Sequence, residues 1–259
     1  MPAFGIFIIG DEILSGKRKD GHFARAIEIL KARGLELSWA RFMGDDPARI
    51  TAELKRSFAG EDIVFSFGGV GATPDDRTRQ CAAAALGVAL HRHPDAVKEI
   101  EKRFGADAYP RRVIMAEFPV GSDIIPNPYN GIASFSIANH HFLPGFPEMA
   151  WPMMEWVLDT RYVRLFHSAP GAEQSIVVRN AGESTLLDIM NRIVAEYPQL
   201  GFSSLPHFAE DGYRVELSLR GDAESVGKAM QEMKMAIVEL GFPVDEKPGH
   251  KGEQHGIIR

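Results

Sequence analysis

Residues 62–78 read Asp-Ile-Val-Phe-Ser-Phe-Gly-Gly-Val-Gly-Ala-Thr-Pro-Asp-Asp-Arg-Thr. The β-prone run 63–67 ends in Gly68, Gly69 and Gly71, and helix-start chemistry follows at once. Thr73 suits an N-cap and Pro74 the first helical position, which puts Asp75 and Asp76 in the first helical turn. A strand, a glycine turn and a helix N-terminus leave backbone N–H groups pointing outward, an arrangement that receives an anion. Carboxylates at the same spot point to a hard cation such as Mg²⁺ beside it. Two common phosphate motifs are excluded: no Lys lies between Gly68 and Arg79, as a P-loop requires, and Pro74 stands where a Rossmann fingerprint needs its third glycine. Phosphate charge must then be met by N–H groups, a metal, or an arginine such as Arg77 or Arg79, although Arg77 is equally explained as a solvated helix residue.

Hydrophobic periodicity places this loop in an α/β frame. Strands are expected at 4–9, 35–43 and 63–67. Helices are expected at 22–33, with Phe23, Ile27 and Leu30 on one face and Gly34 closing it, and from Pro47, capped by Asp46, with Ile50 and Leu54 inward. Further helices are expected from Pro74 to about 86 and from Pro94, with Val97, Ile100 and Phe104 aligned. Residues 109–131 read as a loop with one short strand, 132–137 and 141–143 as paired strands, and 148–158 as a helix. Strands alternating with helices imply a largely parallel sheet. From Arg161 the order becomes strand (174–181), helix (184–196), two strands (202–208 and 213–219) hinged at 210–212, and helix (222–240). That is the ferredoxin-like order of a small α+β domain. The expected domains are 1–160 and 161–246, with a flexible tail at 247–259.

The chain has 259 residues, 45% of them hydrophobic, enough for one large domain or a medium and a small one. A net charge of -6 and a pI of about 5.9 lack the basic footprint of a nucleic-acid binder. No long uncharged apolar stretch offers a membrane span, and the N-terminus enters a strand without a basic leader region, so a cytoplasmic protein is expected. Cys81 is the single cysteine, which rules out an internal disulfide, and its alanine neighbours mark a small packing residue. His91, His93, His140 and His141 lack zinc-site spacing and are expected at the surface; Met230, Met233 and Met235 are expected to pack a helix.

Ligands of open parallel sheets bind beyond the carboxyl ends of the strands. Three loops leave strands there with acidic residues: 10–16, 44–46 and 68–76. Each also has a plainer explanation, Asp46 as a cap, Asp75 and Asp76 as helix-dipole partners, the glycines as turn formers.

Together these residues resemble the MoaB/Mog molybdopterin-binding superfamily, and within it the N-terminal region of CinA-type proteins. The family's loop after the first strand is matched by Gly10-Asp11-Glu12-Ile13-Leu14-Ser15-Gly16, and its Gly-Asp after the second by Gly44-Asp45. Its signature G-G-L-G-P-T-x-D-D-x-T is matched by Gly68-Gly69-Val70-Gly71-Ala72-Thr73-Pro74-Asp75-Asp76-Arg77-Thr78, with Ala72 for Pro. Pro144-Gly145-Phe146-Pro147-Glu148-Met149 approaches a later P-G-x-P-x-E-M, with the Glu one residue early. Lys19-Asp20-Gly21-His22 replaces an Asn-rich segment, and Arg111-Arg112 only echoes a basic N-R-K-Q-A element. Gly182-Glu183-Ser184 matches the helix entry of the domain that follows in CinA-like proteins. The amidase domain of full CinA is not expected here.

The resemblance implies a three-layer MoaB/Mog-like α/β domain with a mostly parallel sheet, followed by the small α+β domain. It implies a phosphorylated heterocycle as ligand, a nucleotide or a pterin such as molybdopterin, and a homo-oligomer. Gly69, Gly71 and Thr73 would cradle a phosphate, with Gly10, Ser15, Gly16, Gly44, Asp45, Gly68, Val70, Thr78, Pro144 and Gly145 completing the ligand site. Asp75 or Asp76, with Asp11 or Glu12, would hold a divalent cation, Mg²⁺ with Co²⁺ or Mn²⁺ as substitutes, Asp76 and Asp11 being its named ligands. CinA-like first domains and the related domain of FAD synthases imply hydrolysis of a nucleotide diphosphate such as ADP-ribose or FAD. The alternatives are a molybdopterin-binding protein of molybdenum cofactor biosynthesis and a binding domain without catalysis.

Overall fold

The uninterrupted apolar run Phe4–Ile9 forms β1, buried along its whole length. Alternate side chains leave opposite faces: Phe4, Ile6 and Ile8 enter one core, Phe7 and Ile9 another. Such a strand needs cover on both sides, which is why it reads as continuous rather than alternating hydrophobicity. It pairs in parallel with β2 (Leu37–Met43) and β3 (Ile63–Phe67). The remaining strands of this sheet come late in the chain, with β4 (Leu90–Arg92) and β5 (Glu117–Pro119) forming a small antiparallel pair of their own. β6 (Asp123–Ile125), β7 (Ser134–Ile137) and β8 (His140–Leu143) complete the order β2-β1-β3-β8-β7-β6, with β8 parallel to β3 and β7 and β6 antiparallel at the edge. On one face lie α2 (His22–Lys31) and α6 (Pro147–Arg161); on the other lie α3 (Pro47–Phe58), α4 (Thr78–Leu86) and α5 (Pro94–Phe104). The short α1 (Asp11–Leu14) follows β1 directly.

The computed structural model describes residues 2–166, 172–209 and 212–247, and the chain divides into two units, 1–168 and 169–259. The second unit runs β9 (Ala172–Arg179), α7 (Glu183–Glu196), β10 (Gly201–Ala209), β11 (Gly212–Gly221), α8 (Ala223–Glu239) and β12 (Val244–Lys247). Its sheet is antiparallel in the order β10-β11-β9-β12, the ferredoxin-like βαββαβ arrangement. Val226, Ala229, Met230, Met233 and Ile237 of α8 pack into its core. Met235 points away and is 53% exposed, against the expectation that it packs, because the inward stripe passes through 233 and 237. Residues 210–211 of the expected hinge and the tail beyond Lys247 lie outside the described residues.

The expected frame is present with local differences. In α2 the buried face is His22, Ala26, Ile29 and Leu30, while Phe23 and Ile27 are largely exposed. The Asp20 carboxylate caps this helix by accepting from the N–H groups of His22 and Phe23, which starts the turn at His22. Residues 109–131 hold two short strands, β5 and β6, because β5 finds a partner in β4. The helix expected from Pro74 begins only at Thr78, so Thr73 is no helix cap and neither Asp75 nor Asp76 lies in a helical turn. Asp76 Oδ2 accepts from both the N–H and the hydroxyl of Thr73, closing a separate turn first.

His140 and His141 are fully buried, not at the surface. β8 is covered on both faces, so successive rings enter different cores. His140 bonds Ser57 Oγ and the Ala138 carbonyl, each at 2.7 Å, and His141 bridges Ser136 Oγ and Tyr162 Oη, each at 2.7 Å. Burial pushes them down from the ordinary 6.5, His140 to about 4 and His141 to about 3. The unfolded chain therefore binds protons that the folded chain refuses. The stability these neutral rings contribute is complete above pH 6.5 and is lost as pH falls from there toward 4 and 3. Unfolding free energy should fall by on the order of 1 kcal/mol per pH unit for each ring in that window. In chemical denaturation at a series of pH values, His141→Gln should show a shallower acid slope than the wild type. Equal slopes would contradict this account.

Arg79 is 1% exposed, and its guanidinium ties the glycine loop to the segment after α5. Nη2 donates to the Gly71 carbonyl at 2.6 Å, and Nη1 donates to those of Ile114 and Glu117 at 2.6 and 3.0 Å. Arg79 is thus committed to the backbone and is no phosphate ligand; Arg77 is exposed and bonds the Pro74 carbonyl. Arg79→Met should cost about 2–3 kcal/mol in denaturant unfolding, because three carbonyls lose a charged donor. It should also open residues 68–78 to limited proteolysis. A loss below about 0.5 kcal/mol, the level of an ordinary surface change, would contradict this role.

Candidate functional site

Loops from the carboxyl ends of β1, β2 and β3 meet at a cleft of about 440 Å³. Its floor is the turn after β3. Gly68 (φ 102°) and Gly69 (φ 68°) both occupy the left-handed region, and both are crowded: an added Cβ would stand 2.2 Å from the Ile9 carbonyl oxygen at Gly68 and 2.3 Å from Thr78 Oγ1 at Gly69. Buried Thr78 closes the turn from beneath, its N–H donating to Gly69 O at 2.9 Å and its hydroxyl to Gly68 O at 3.0 Å. Arg79 anchors Gly71 as described. The carbonyls are thereby consumed, while among the described residues the N–H groups of Gly69, Val70, Gly71 and Ala72 have no protein acceptor. Consecutive unpaired N–H groups in a left-handed turn form a concavity suited to an anion.

The acidic wall comes from the other two loops. The N–H of Asp11 donates to Asp45 Oδ2 at 2.8 Å, and the N–H of Asp45 donates to Asp11 Oδ1 at 3.1 Å, a reciprocal clamp between the ends of β1 and β2. Gly44 is required beside it, since a Cβ there would stand 2.3 Å from Asp11 Oδ1. Burial raises the Asp45 carboxyl above its usual range, against the Asp11 N–H, and the negative charges of Asp11, Glu12 and Asp75 raise it further. A cation placed here would relieve that repulsion.

The cleft takes in most of the residues nominated from sequence. Gly10, Glu12 and Asp45 line one part; Gly68, Gly69, Val70 and Gly71 line the floor; Thr73, Asp75 and Asp76 follow; Pro144 and Gly145 close it. Asp11, Ser15, Gly16, Gly44 and Thr78 are not among its lining residues. Asp11 and Thr78 build the loops instead, and the N–H groups of Ser15 and Gly16 close the turn of α1 on Asp11 O and Ile13 O. The two proposed metal ligands are differently engaged, Asp76 with Thr73 and Asp11 with Asp45.

Sequence reasoning missed several residues. Arg18, Asn127 and Phe146 all line the cleft. His22, in place of the family's Asn-rich segment, stacks on Phe67 with centroids 4.5 Å apart. Its Nδ1 accepts from the Trp151 indole N–H at 3.3 Å, which leaves Nε2–H to donate to the Gly145 carbonyl at 3.2 Å. Burial pushes its pKa down, keeping it a neutral clamp on the 144–147 loop. The replacement of the Asn-rich segment signalled this position, but nothing in the local pattern marked a buried ring.

Residues 5–163 match the family described as "Probable molybdopterin binding domain", and residues 173–242 match "FAD synthase, middle domain". A CinA-like protein of Syntrophotalea carbinolica is 31% identical over 186 residues, 69% of this chain and 45% of that protein. A CinA-like protein of Koribacter versatilis is 27% identical over 256 residues, 93% of this chain and 60% of that protein. The chain thus spans roughly half the length of these curated relatives. The crystal structure of the protein CinA with unknown function from Thermoplasma acidophilum is similar with a TM-score of 0.56 and 26% identity, covering 61% of this chain and 96% of that one. The mostly parallel sheet with its glycine turn falls almost wholly within the first matched range and the ferredoxin-like unit, next in sequence, largely within the second, and the chain belongs to the MoaB/Mog-type molybdopterin-binding domain family, with CinA-like proteins as its relatives.

Proposed function

We propose that the cleft binds a phosphorylated heterocycle and that the protein is a metal-dependent nucleotide diphosphatase acting on ADP-ribose-like or FAD-like substrates. The observation that carries this reading is the pairing, in one cleft, of four consecutive unpaired N–H groups at 69–72 with the carboxylates of Glu12, Asp45, Asp75 and Asp76. The N–H groups suit a phosphate, and the carboxylates would repel it unless a cation came between. An all-oxygen donor set fits a hard divalent ion. Among the described residues no three metal-binding side chains are grouped to hold an ion alone. That fits Mg²⁺, which is bound by one or two carboxylates with substrate phosphates completing its shell.

In this reading Gly69, Val70, Gly71 and Ala72 hold one phosphate by their N–H groups, and Asp45 and Asp76, which line the same cleft, would present carboxylates to the cation. When bound, such an ion would supply charge neutralisation at the diphosphate and lower the pKa of a water. Water adds its oxygen to phosphorus, the bridging P–O bond breaks, and ADP-ribose yields AMP and ribose 5-phosphate. The FAD synthase match in the second unit supports a substrate that carries an AMP half. No helix among the described residues is long and apolar enough to cross a membrane; self-association and a cytoplasmic site belong to the same proposal.

The family description favours a second reading, a molybdopterin-binding protein without hydrolysis. Purified protein should release AMP from ADP-ribose or FAD with Mg²⁺, Co²⁺ or Mn²⁺ and stop in EDTA. Asp76→Asn, which keeps an acceptor for Thr73, should lower kcat/KM at least about 100-fold at unchanged melting temperature, in line with losing a charge at the reacting phosphate. Unchanged turnover in that variant sinks the assignment of Asp76; tight molybdopterin binding with no hydrolysis of either dinucleotide favours the second reading.

A further inference from the structure

Phe146 is 54% exposed, although it sits in the wall of the cleft that holds the glycine turn. Its backbone is fixed: as the residue before α6, its carbonyl accepts from the N–H groups of Met149 and Ala150 at 3.0 and 2.9 Å. The guanidinium of Arg18 lies 5.4 Å from the centre of its ring, and among the described residues Arg18 forms no ion pair. A rigidly mounted aromatic ring, backed by a cation and left open to a cleft, is a stacking surface for a planar group. The same cleft carries half-buried Met115, Ile132 and Met149, apolar enough for the body of a ring. It also carries Asn127, 6% exposed, whose Oδ1 accepts from the Tyr129 N–H while its amide nitrogen has no protein partner. That nitrogen is a donor suited to the edge of a heterocycle.

We propose that Phe146, backed by Arg18, is the ring platform that makes the cleft select an aromatic nucleotide over a sugar phosphate. The inference rests on the reading of the cleft as a nucleotide site and adds what decides specificity within it. Arg18 polarises and orients the Phe146 ring, and the base of the ligand lies on the ring's open face. The phosphate reaches the 69–72 turn.

Isothermal titration with two ligands separates the parts, because AMP and ribose 5-phosphate share a phosphoryl ribose and differ in the base. The wild-type protein with Mg²⁺ should bind AMP about tenfold more tightly than ribose 5-phosphate, the effect of one base–aromatic stack. Phe146→Ala should weaken AMP about tenfold and leave ribose 5-phosphate unchanged. Phe146→Trp should restore AMP binding, with its fluorescence quenched as AMP is added. Equal wild-type affinity for the two ligands, or an equal loss of both in Phe146→Ala, overturns the platform while leaving the phosphate site standing. Binding of neither ligand by the wild type overturns the nucleotide reading and the platform with it.

Discussion

The buried guanidinium of Arg79 is the interaction on which the site depends. A charge at 1% exposure is costly unless it is hydrogen-bonded, and here backbone carbonyls from Gly71, Ile114 and Glu117 accept from its two terminal nitrogens, while Nε has no partner among the described residues. Burial lowers its pKa, but arginine starts so high that it remains charged. The carbonyl of Gly71 is turned down into the protein by this contact, and Thr78 does the same for those of Gly68 and Gly69. With the carbonyls held below, the turn keeps its N–H groups for the cleft. The proposed anion site would therefore be made by what binds the other side of each peptide.

Electrostatics then defines what the cleft can accept. Glu12, Asp45, Asp75 and Asp76 would exclude a bare diphosphate, and Arg18 is the basic side chain among the cleft's lining residues. On the proposed reading a cation and an anion would enter as partners, each removing the objection to the other. This places the acidic loops and the glycine turn in one functional unit, although they are contributed by three separate strands. Loops that emerge at one end of a parallel sheet are adjacent in space whatever their distance in sequence.

Much of this was legible in the residues. β1 and β3 announced themselves as strands, and Asp46-Pro47 as a helix start, because these signals are local. Gly68 and Gly69 were legible because no other residue tolerates their backbone and crowding. Thr73-Pro74 misled because it carries valid helix-start chemistry; the Asp76 carboxylate turned back onto Thr73 and spent that chemistry on a tight turn. His140 and His141 misled because their partners, Ser57 at one face and Ser136 and Tyr162 at the other, are brought to them only by the sheet. Arg79 read as a candidate phosphate partner rather than a backbone anchor, and Phe146 did not stand out at all, for a similar reason. An arginine in a helix and an aromatic in a proline loop take their roles from tertiary neighbours.

The central claim is that the 69–72 turn holds phosphate. A crystal structure of the protein with AMP and Mg²⁺ tests it most directly. The account predicts phosphate oxygens within hydrogen-bond reach of the N–H groups of Gly69, Val70, Gly71 and Ala72. A phosphate seated elsewhere, for example in the open groove bordered by Arg41, Arg49 and Arg56, with the turn untouched, would contradict it.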